Sequence, residues 1–298
     1  MIASVPVDRD DGIPQRDAGV VRAFAPVGPG RHSVVAWTRR HARRIGARVE
    51  ILVDPDPGLG DAATGAAGSA RAARPRGAAG PLADLLGDLF DNLLKRASTL
   101  LGVQPSLADR LGRASAGARM LVVPQALPGV EELADTAYEP IAVVPHDPPH
   151  PGGPVVLALA ARTSDDAIDA AFDAAARRGA PLLVLRLRDP ARWSVVTDED
   201  LARLVEDERR YWSDHVAAWR LAYPRVPLEV RVSDAEPAPE LLALSYQARL
   251  LVLGRSQRGR VVGSVTPSPV GRVIRGARCP VLVVPPPGPP RRHWWPRR

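Results

Sequence analysis

Three sequence anchors recur in the same order in the two halves of this chain. Arg44-Ile45-Gly46-Ala47 returns as Arg178-Gly179-Ala180-Pro181. Ala118-Arg119-Met120-Leu121-Val122-Val123-Pro124 returns as Ala248-Arg249-Leu250-Leu251-Val252-Leu253-Gly254. Glu139-Pro140-Ile141-Ala142-Val143-Val144-Pro145 returns as Cys279-Pro280-Val281-Leu282-Val283-Val284-Pro285. The offsets are 133 or 134, 130 and 140 residues. A repeat of this kind requires one arrangement of elements built twice. Each anchor leads into a short apolar run, and segments of helical spacing separate the runs. Strands alternating with helices imply a parallel sheet covered on both faces. The expected fold class is α/β, with two tandem doubly wound domains that each carry a five-stranded parallel sheet.

In the first copy, residues 1–18 are polar and read as a disordered arm. Val20 to Val27 is a strand, Gly28-Pro29-Gly30 turns it, and Ser33 can cap a helix reaching Ile45. Ala47 to Val53 is the second strand. Pro55 to Pro81 is rich in Ala, Gly, Pro, Asp and Arg without a period, and reads as a long flexible loop. Leu82 to Leu101 places Leu85, Leu86, Leu89, Phe90, Leu93 and Leu94 on one helical face. A third strand at Val103 to Leu107, a helix at Ala108 to Ser115, a strand at Met120 to Val123, a helix at Val130 to Tyr138 and a strand at Ile141 to Val144 complete the copy. Domain boundaries are expected at 19–146 and 154–286, with a linker at 147–153 and a basic Pro/Trp-rich tail at 287–298.

In the second copy, Val155 to Ala160 is a strand, Ser164 to Arg178 a helix and Pro181 to Leu187 a strand. Thr197-Asp198-Glu199-Asp200 opens a long helix reaching Ala222. Leu228 to Val232 is a strand and Ala238 to Tyr246 a helix. The last unit runs from Arg249 to Pro285: strand, a loop rich in Gly and Arg, helix, strand. Ser268 can cap that helix and Pro269 suits its first position, where no N–H is needed. In open α/β sheets, loops leaving the carboxyl ends of strands are where ligands bind, and a helix start offers unpaired N–H groups to an anion.

This last stretch resembles the universal stress proteins. They end in a strand, then Gly, two residues, Gly, nine residues, Gly, Ser or Thr, then a helix and a Cys-Pro-Val-Leu-Val-Val strand. Gly254 matches the first glycine, and Ser268, fourteen residues on, matches the final Ser/Thr without a gap. Val273-Ile274 and Cys279 to Val284 also fall in register. Gln257 and Pro267 stand where two glycines would be. In the first copy the last two anchors lie 21 residues apart, against 31 in the second. The ten missing residues come from the loop that would hold phosphates, and Pro124 stands at the position of Gly254.

The resemblance implies a pseudo-dimer of domains joined through their last strands. It also implies, at the second domain only, a site for ATP or another adenine nucleotide. Its residues would be Ala160, Leu187, Gly254, Arg255, Gln257, Arg258, Pro267 and Ser268. Ala160 falls where the family places an Asp on the nucleoside, and Pro267 removes a backbone N–H. Arg255, Arg258 and Arg260 give the loop positive charge. The expected function is a non-enzymatic, stress-response or regulatory one, with at most weak nucleotide binding, or a ligand-free interaction scaffold of the same fold; the remaining alternative is a nucleotide-hydrolysing enzyme of a related α/β group, for which no catalytic lysine or acidic metal pair is visible near Gly254. An unidentified protein partner and homo-oligomers are the expected interactions.

Other chemistries find little support. The formal charge is +7, but Arg291, Arg292, Arg297 and Arg298 supply four of these and Lys95 is the sole lysine, so specific nucleic-acid binding is not expected. No apolar run approaches a membrane span, no secretory leader is visible at the start, and the single Cys279 fits a reducing cytoplasm and an inert core thiol. Gly254-Arg255-Ser256-Gln257-Arg258-Gly259 has its second glycine one place late for a nucleophile elbow, and no suitable later histidine follows. Gly28-Pro29-Gly30 lacks the last glycine of a dinucleotide fingerprint, and no phosphate-loop lysine motif is present. His146 and His150 fall in a linker, a poor place for a metal. Asp165-Asp166 is accounted for by the first turn of a helix.

Overall fold

The computed structural model describes residues 2–5, 19–26, 30–52, 106–148, 152–160, 163–187, 198–255 and 269–286. Its strands are β1 (Ile2–Val5), β2 (Val20–Phe24), β3 (Arg48–Leu52), β4 (Met120–Pro124), β5 (Ile141–Val144), β6 (Val155–Leu159), β7 (Leu182–Leu187), β8 (Leu228–Ser233), β9 (Leu250–Gly254) and β10 (Val281–Val284). Its helices are α1 (Arg31–Ile45), α2 (Leu107–Ala114), α3 (Val130–Thr136), α4 (Asp165–Arg178), α5 (Asp198–His215), α6 (Ala217–Ala222), α7 (Pro237–Ser245) and α8 (Pro269–Gly276). The long loop at 55–81, the helix at 82–101, most of the third strand at 103–107 and the tail at 287–298 lie outside the described residues.

All the strands form one sheet of ten, in the order β1-β3-β2-β4-β5-β10-β9-β6-β7-β8. The second half is wholly parallel. In the first half β3, β2, β4 and β5 are parallel. The halves join where β5 and β10 pair antiparallel, Val143 opposite Val281 and Ile141 opposite Val283. Those two strands are buried along their whole length, as central strands covered on both faces must be. Along β6, Val155, Leu157 and Leu159 pack into one layer of core while Val156 and Ala158 pack into the other. α1 and α4 cover the first face; α3, α7 and α8 cover the second.

Several expectations are corrected. The residues read as a disordered arm contribute β1, which pairs antiparallel with β3 from Ile2↔Leu52 to Val5↔Val49. β1 takes the edge position that β8 takes in the second half. Leu107, read as the end of a strand, is the first residue of α2, because Ser106 and Asp109 form a reciprocal capping box ahead of it. Ser33 does not cap α1; Gly30, at φ 89°, holds the N-cap position and the Ser33 hydroxyl donates to the His146 carbonyl. The helix read through to Ala222 is interrupted at Val216, at φ −88° and ψ 2°. Val216 is fully buried there, and Trp212 beside it is 8% exposed.

The helix ends otherwise follow the sequence. α1 and α4 stop at Gly46 and Gly179, both left-handed, whose N–H groups close the last turn. α4 begins with Asp165 and Asp166 and ends with Arg177 and Arg178, which suits its dipole.

Candidate functional site

In the second half the chain order reverses between β6 and β9, so a crevice forms at their carboxyl ends. Ala160, Thr163 and Gly254 meet there. Ala160 is exposed, and its N–H donates to Thr163 Oγ1 at 2.8 Å at the exit of β6. A Cβ on Gly254 would stand 3.0 Å from Thr163 Cγ2 and 3.4 Å from Ala167 Cβ. Glycine is needed here for space rather than for φ. Ser164 heads α4 without a side-chain cap bond, and its hydroxyl is buried with no hydrogen-bond partner among the described residues.

Two arginines beside this crevice are already engaged. Arg186, the one charge in the strand LLVLRL, turns back over the strand ends. Its Nη1 donates to the carbonyls of Leu187 at 2.8 Å and Leu159 at 3.3 Å, and its Nε pairs with Glu208 at 2.7 Å. Its guanidinium also lies 5.6 Å from the Trp212 ring centre. Arg255 was expected to meet phosphate. Instead its Nη1 donates to the carbonyls of Ala134 at 3.1 Å and Ala137 at 2.7 Å, at the C-terminal end of α3 in the other half. Burial lowers its pKa, opposed by the charges of Asp135 and Tyr138.

Of the expected residues, the structure brings Ala160 and Gly254 together. It places Leu187 at the end of β7 with its carbonyl bound to Arg186, and it turns Arg255 away. Gln257, Arg258, Pro267 and Ser268 lie outside the described residues. Measured against an adenine nucleotide, the nucleoside end lacks the family's carboxylate at Ala160. Thr163 and Arg186 escaped the sequence reading. An isolated arginine in an apolar strand was the signal for the second; nothing local marked the first.

The equivalent place in the first half is built differently. Pro124 ends β4, and Gln125 N donates to Val144 O at 2.9 Å just as Arg255 N donates to Val284 O at 2.8 Å. After that the first half turns at once, Leu127 N bonding Pro124 O at 3.1 Å, and α3 starts at Val130. A Cβ on Gly30 would stand 3.8 Å from both Pro124 Cβ and His146 Nδ1, so Gly30, Pro124 and His146 lie side by side at this end of the sheet. Glu131 and Glu132 stand in the first turn of α3, and the Glu131 carboxylate pairs with Arg275. Elsewhere, a hollow of about 520 Å³ lined by Gly179, Ala180, Tyr223 and Arg225 lies at the opposite end of α4 from the crevice. Among the described residues no group of His, Cys, Asp or Glu could hold a metal ion, and no helix is long and apolar enough to cross a membrane.

Residues 153–285 match the model of the Universal stress protein family. A universal stress protein of Mycobacterium tuberculosis is 33% identical over 167 residues, covering 51% of this chain and 50% of its own. One from Mycolicibacterium smegmatis is 34% identical over 139 residues, covering 45% and 46%. The chain thus spans about half the length of the curated relatives it matches. Among solved structures, a universal stress protein from Archaeoglobus fulgidus superposes with a TM-score of 0.54 at 13% identity, over 89% of this chain and 96% of that one. That likeness is one of fold.

Proposed function

We propose that this chain, whose residues 153–285 match the model of the Universal stress protein family, is a stress-response regulator of that family that acts by binding rather than by catalysis. Residues 19–146 and 154–286 are its two domains, arranged as a pseudo-dimer in a reducing cytoplasm. The observation that carries this reading is the asymmetry of the two switch points. After β4 the first half turns at once at Pro124 and reaches α3 by Val130, whereas the second half keeps Gly254 at the end of β9, close against Thr163, with residues 255–268 between it and α8. Any small ligand is an adenine nucleotide in the second crevice, held weakly. Two contacts to charged groups, lost at Ala160 and Pro267, would weaken binding by on the order of 10² to 10⁴.

The test is to strip nucleotide from the purified full chain and titrate it with ATP beside Gly254→Asp, which crowds Thr163 and adds a negative charge. Saturable ATP binding that disappears in a folded Gly254→Asp variant supports the nucleotide site. No binding at millimolar ATP removes it. A second reading, a ligand-free scaffold for a protein partner, is favoured by one observation: Arg186 and Arg255 already spend their donors on backbone carbonyls.

A further inference from the structure

The first half grips both flanks of residues 256–268. At the entry, Arg255 donates to Ala134 O and Ala137 O on α3. At the exit, Gln125 Nε2 donates to Ile274 O at 2.8 Å and Ala277 O at 2.9 Å, the C-terminal turn of α8. This is one arrangement made twice. Gln125 and Arg255 differ by 130 positions, and Ala134 and Ala137 differ from Ile274 and Ala277 by 140, the offsets of the flanking repeat anchors. Each residue leaving a fourth strand caps the final helix of the other half. Such carbonyls have no partner within their own helix, so the caps satisfy groups that each half leaves open.

α8 has a further tie. The Glu131 carboxylate pairs with Arg275, and Glu131 Cγ would stand 3.4 Å from a Cβ on Gly271. From its own half α8 is held by the Arg272–Glu236 pair and by Leu242 against Gly276; from the other half it is held by Glu131 and, at its end, by Gln125. It connects the parallel strands β9 and β10, so it starts on the carboxyl-end side of the second half's sheet. We infer that the first half, with its short turn after β4, is a positioning module for the second: Gln125 and Glu131 help set the place of α8, and the α3 carbonyls set the exit from Gly254 by holding Arg255. What the crevice binds rests on the reading above; the grip itself does not.

The test uses the full chain and two readouts. Gln125→Glu keeps the size of the side chain and replaces the donating NH₂ with an oxygen facing two carbonyls. Hydrogen exchange in the peptide covering 269–277 should accelerate by roughly five- to thirty-fold, the effect of losing two neutral hydrogen bonds. Arg255→Ala should do the same for the last turn of α3. Arg255→Gln should restore protection, since glutamine makes this cap from position 125. In the second readout, ATP affinity should fall in Gln125→Glu although the Gln125 amide bonds to the end of α8 and not to Ala160, Thr163 or Gly254. Unchanged exchange in α8, or Arg255→Gln no better than Arg255→Ala, would overturn the grip. Loosened α8 with unchanged ATP affinity would overturn the positioning role. If the wild-type chain binds no ATP, the nucleotide reading fails by itself and the exchange results still decide the grip.

Discussion

Arg186 is the side chain whose removal should separate fold from ligand. Arg186→Met keeps an aliphatic stem against Trp212 and deletes the guanidinium. The side chains of Arg186 and Glu208 are 15% and 19% exposed, so little solvent replaces their 2.7 Å contact. The carbonyls of Leu159 and Leu187 lose a charged donor as well. A hydrogen bond to a charged group is worth about 1.5–3 kcal/mol. The 3.3 Å bond to Leu159 belongs at the low end, and a cation–π contact at 5.6 Å adds a fraction more. The expected loss is about 3 kcal/mol, within the range of roughly 3–5 kcal/mol for breaking a buried pair from one side. At about 2–4 °C per kcal/mol this lowers Tm by about 6–12 °C. Urea unfolding followed by tryptophan fluorescence and by circular dichroism measures it. Arg186→Met with Glu208→Gln should recover about 1 kcal/mol, because a neutral amide costs less than a carboxylate deprived of this cation. A loss under about 0.5 kcal/mol would refute the claim that Arg186 ties the ends of β6 and β7. ATP affinity should hold or rise in the single variant, since two strand-end carbonyls are released; a fall would put Arg186 among the ligand contacts.

Two further measurements probe the buried groups. His41 is buried against Arg178, stacked on Trp37, and its pKa is lowered well below 6.5 by burial and by the neighbouring arginines, Arg178 foremost. The unfolded chain therefore takes up protons first, and stability should fall as pH drops below about 6.5. Asp169 has the opposite sign: burial and Asp173 push it up to about 6, so its penalty is absent below the ordinary carboxylate range and complete above about 6. Asp169→Asn should stabilise the protein at pH 7–8, give no gain near pH 4, and steepen the acid loss due to His41; unfolding curves across that range decide it. Cys279, buried with its thiol pushed up to about 12, should resist iodoacetamide at pH 8 in the folded protein and react on unfolding. Labelling of the native chain would contradict its burial.

The sheet was legible because its strands are apolar on both faces. Ile141–Val144 and Val281–Val284 have the bounds their sequence suggests, and two such strands can only be buried by one another or by a partner. Edge strands are harder. Ile2–Val5 becomes a strand through its hydrogen bonds to β3, and nothing in four residues of mixed character distinguishes that from a loose arm. Ser33 has the right chemistry for a cap, but Gly30 reached the N-cap position first. Arg255 was misread for a different reason. Sequence gives the sign of its charge, whereas its acceptors lie 121 and 118 residues earlier and in the other half. The repeat did hold the answer: aligning the anchors sets Arg255 on Gln125, an uncharged donor in the half that has lost the phosphate loop.

That alignment also explains how the first half could lose its loop without losing its place in the sheet. A segment can be shortened cheaply when its two ends are held by something other than each other, because loop length alone changes closure entropy slowly. Gln125 and α3 meet this condition. Gln125 is held by the carbonyls of α8 and by Val144, and α3 is held by Arg255 and by the Glu131–Arg275 pair. Every one of these ties except the one to Val144 crosses the seam. The antiparallel pairing of β5 with β10 makes this possible, since it sets the exit of each fourth strand against the last helix of the other half. A parallel seam would have put like ends together and left each half to brace its own loop. The asymmetry of the two loops is therefore compatible with a symmetric scaffold, and the interactions that preserve the scaffold are those that hold the flanks of residues 256–268.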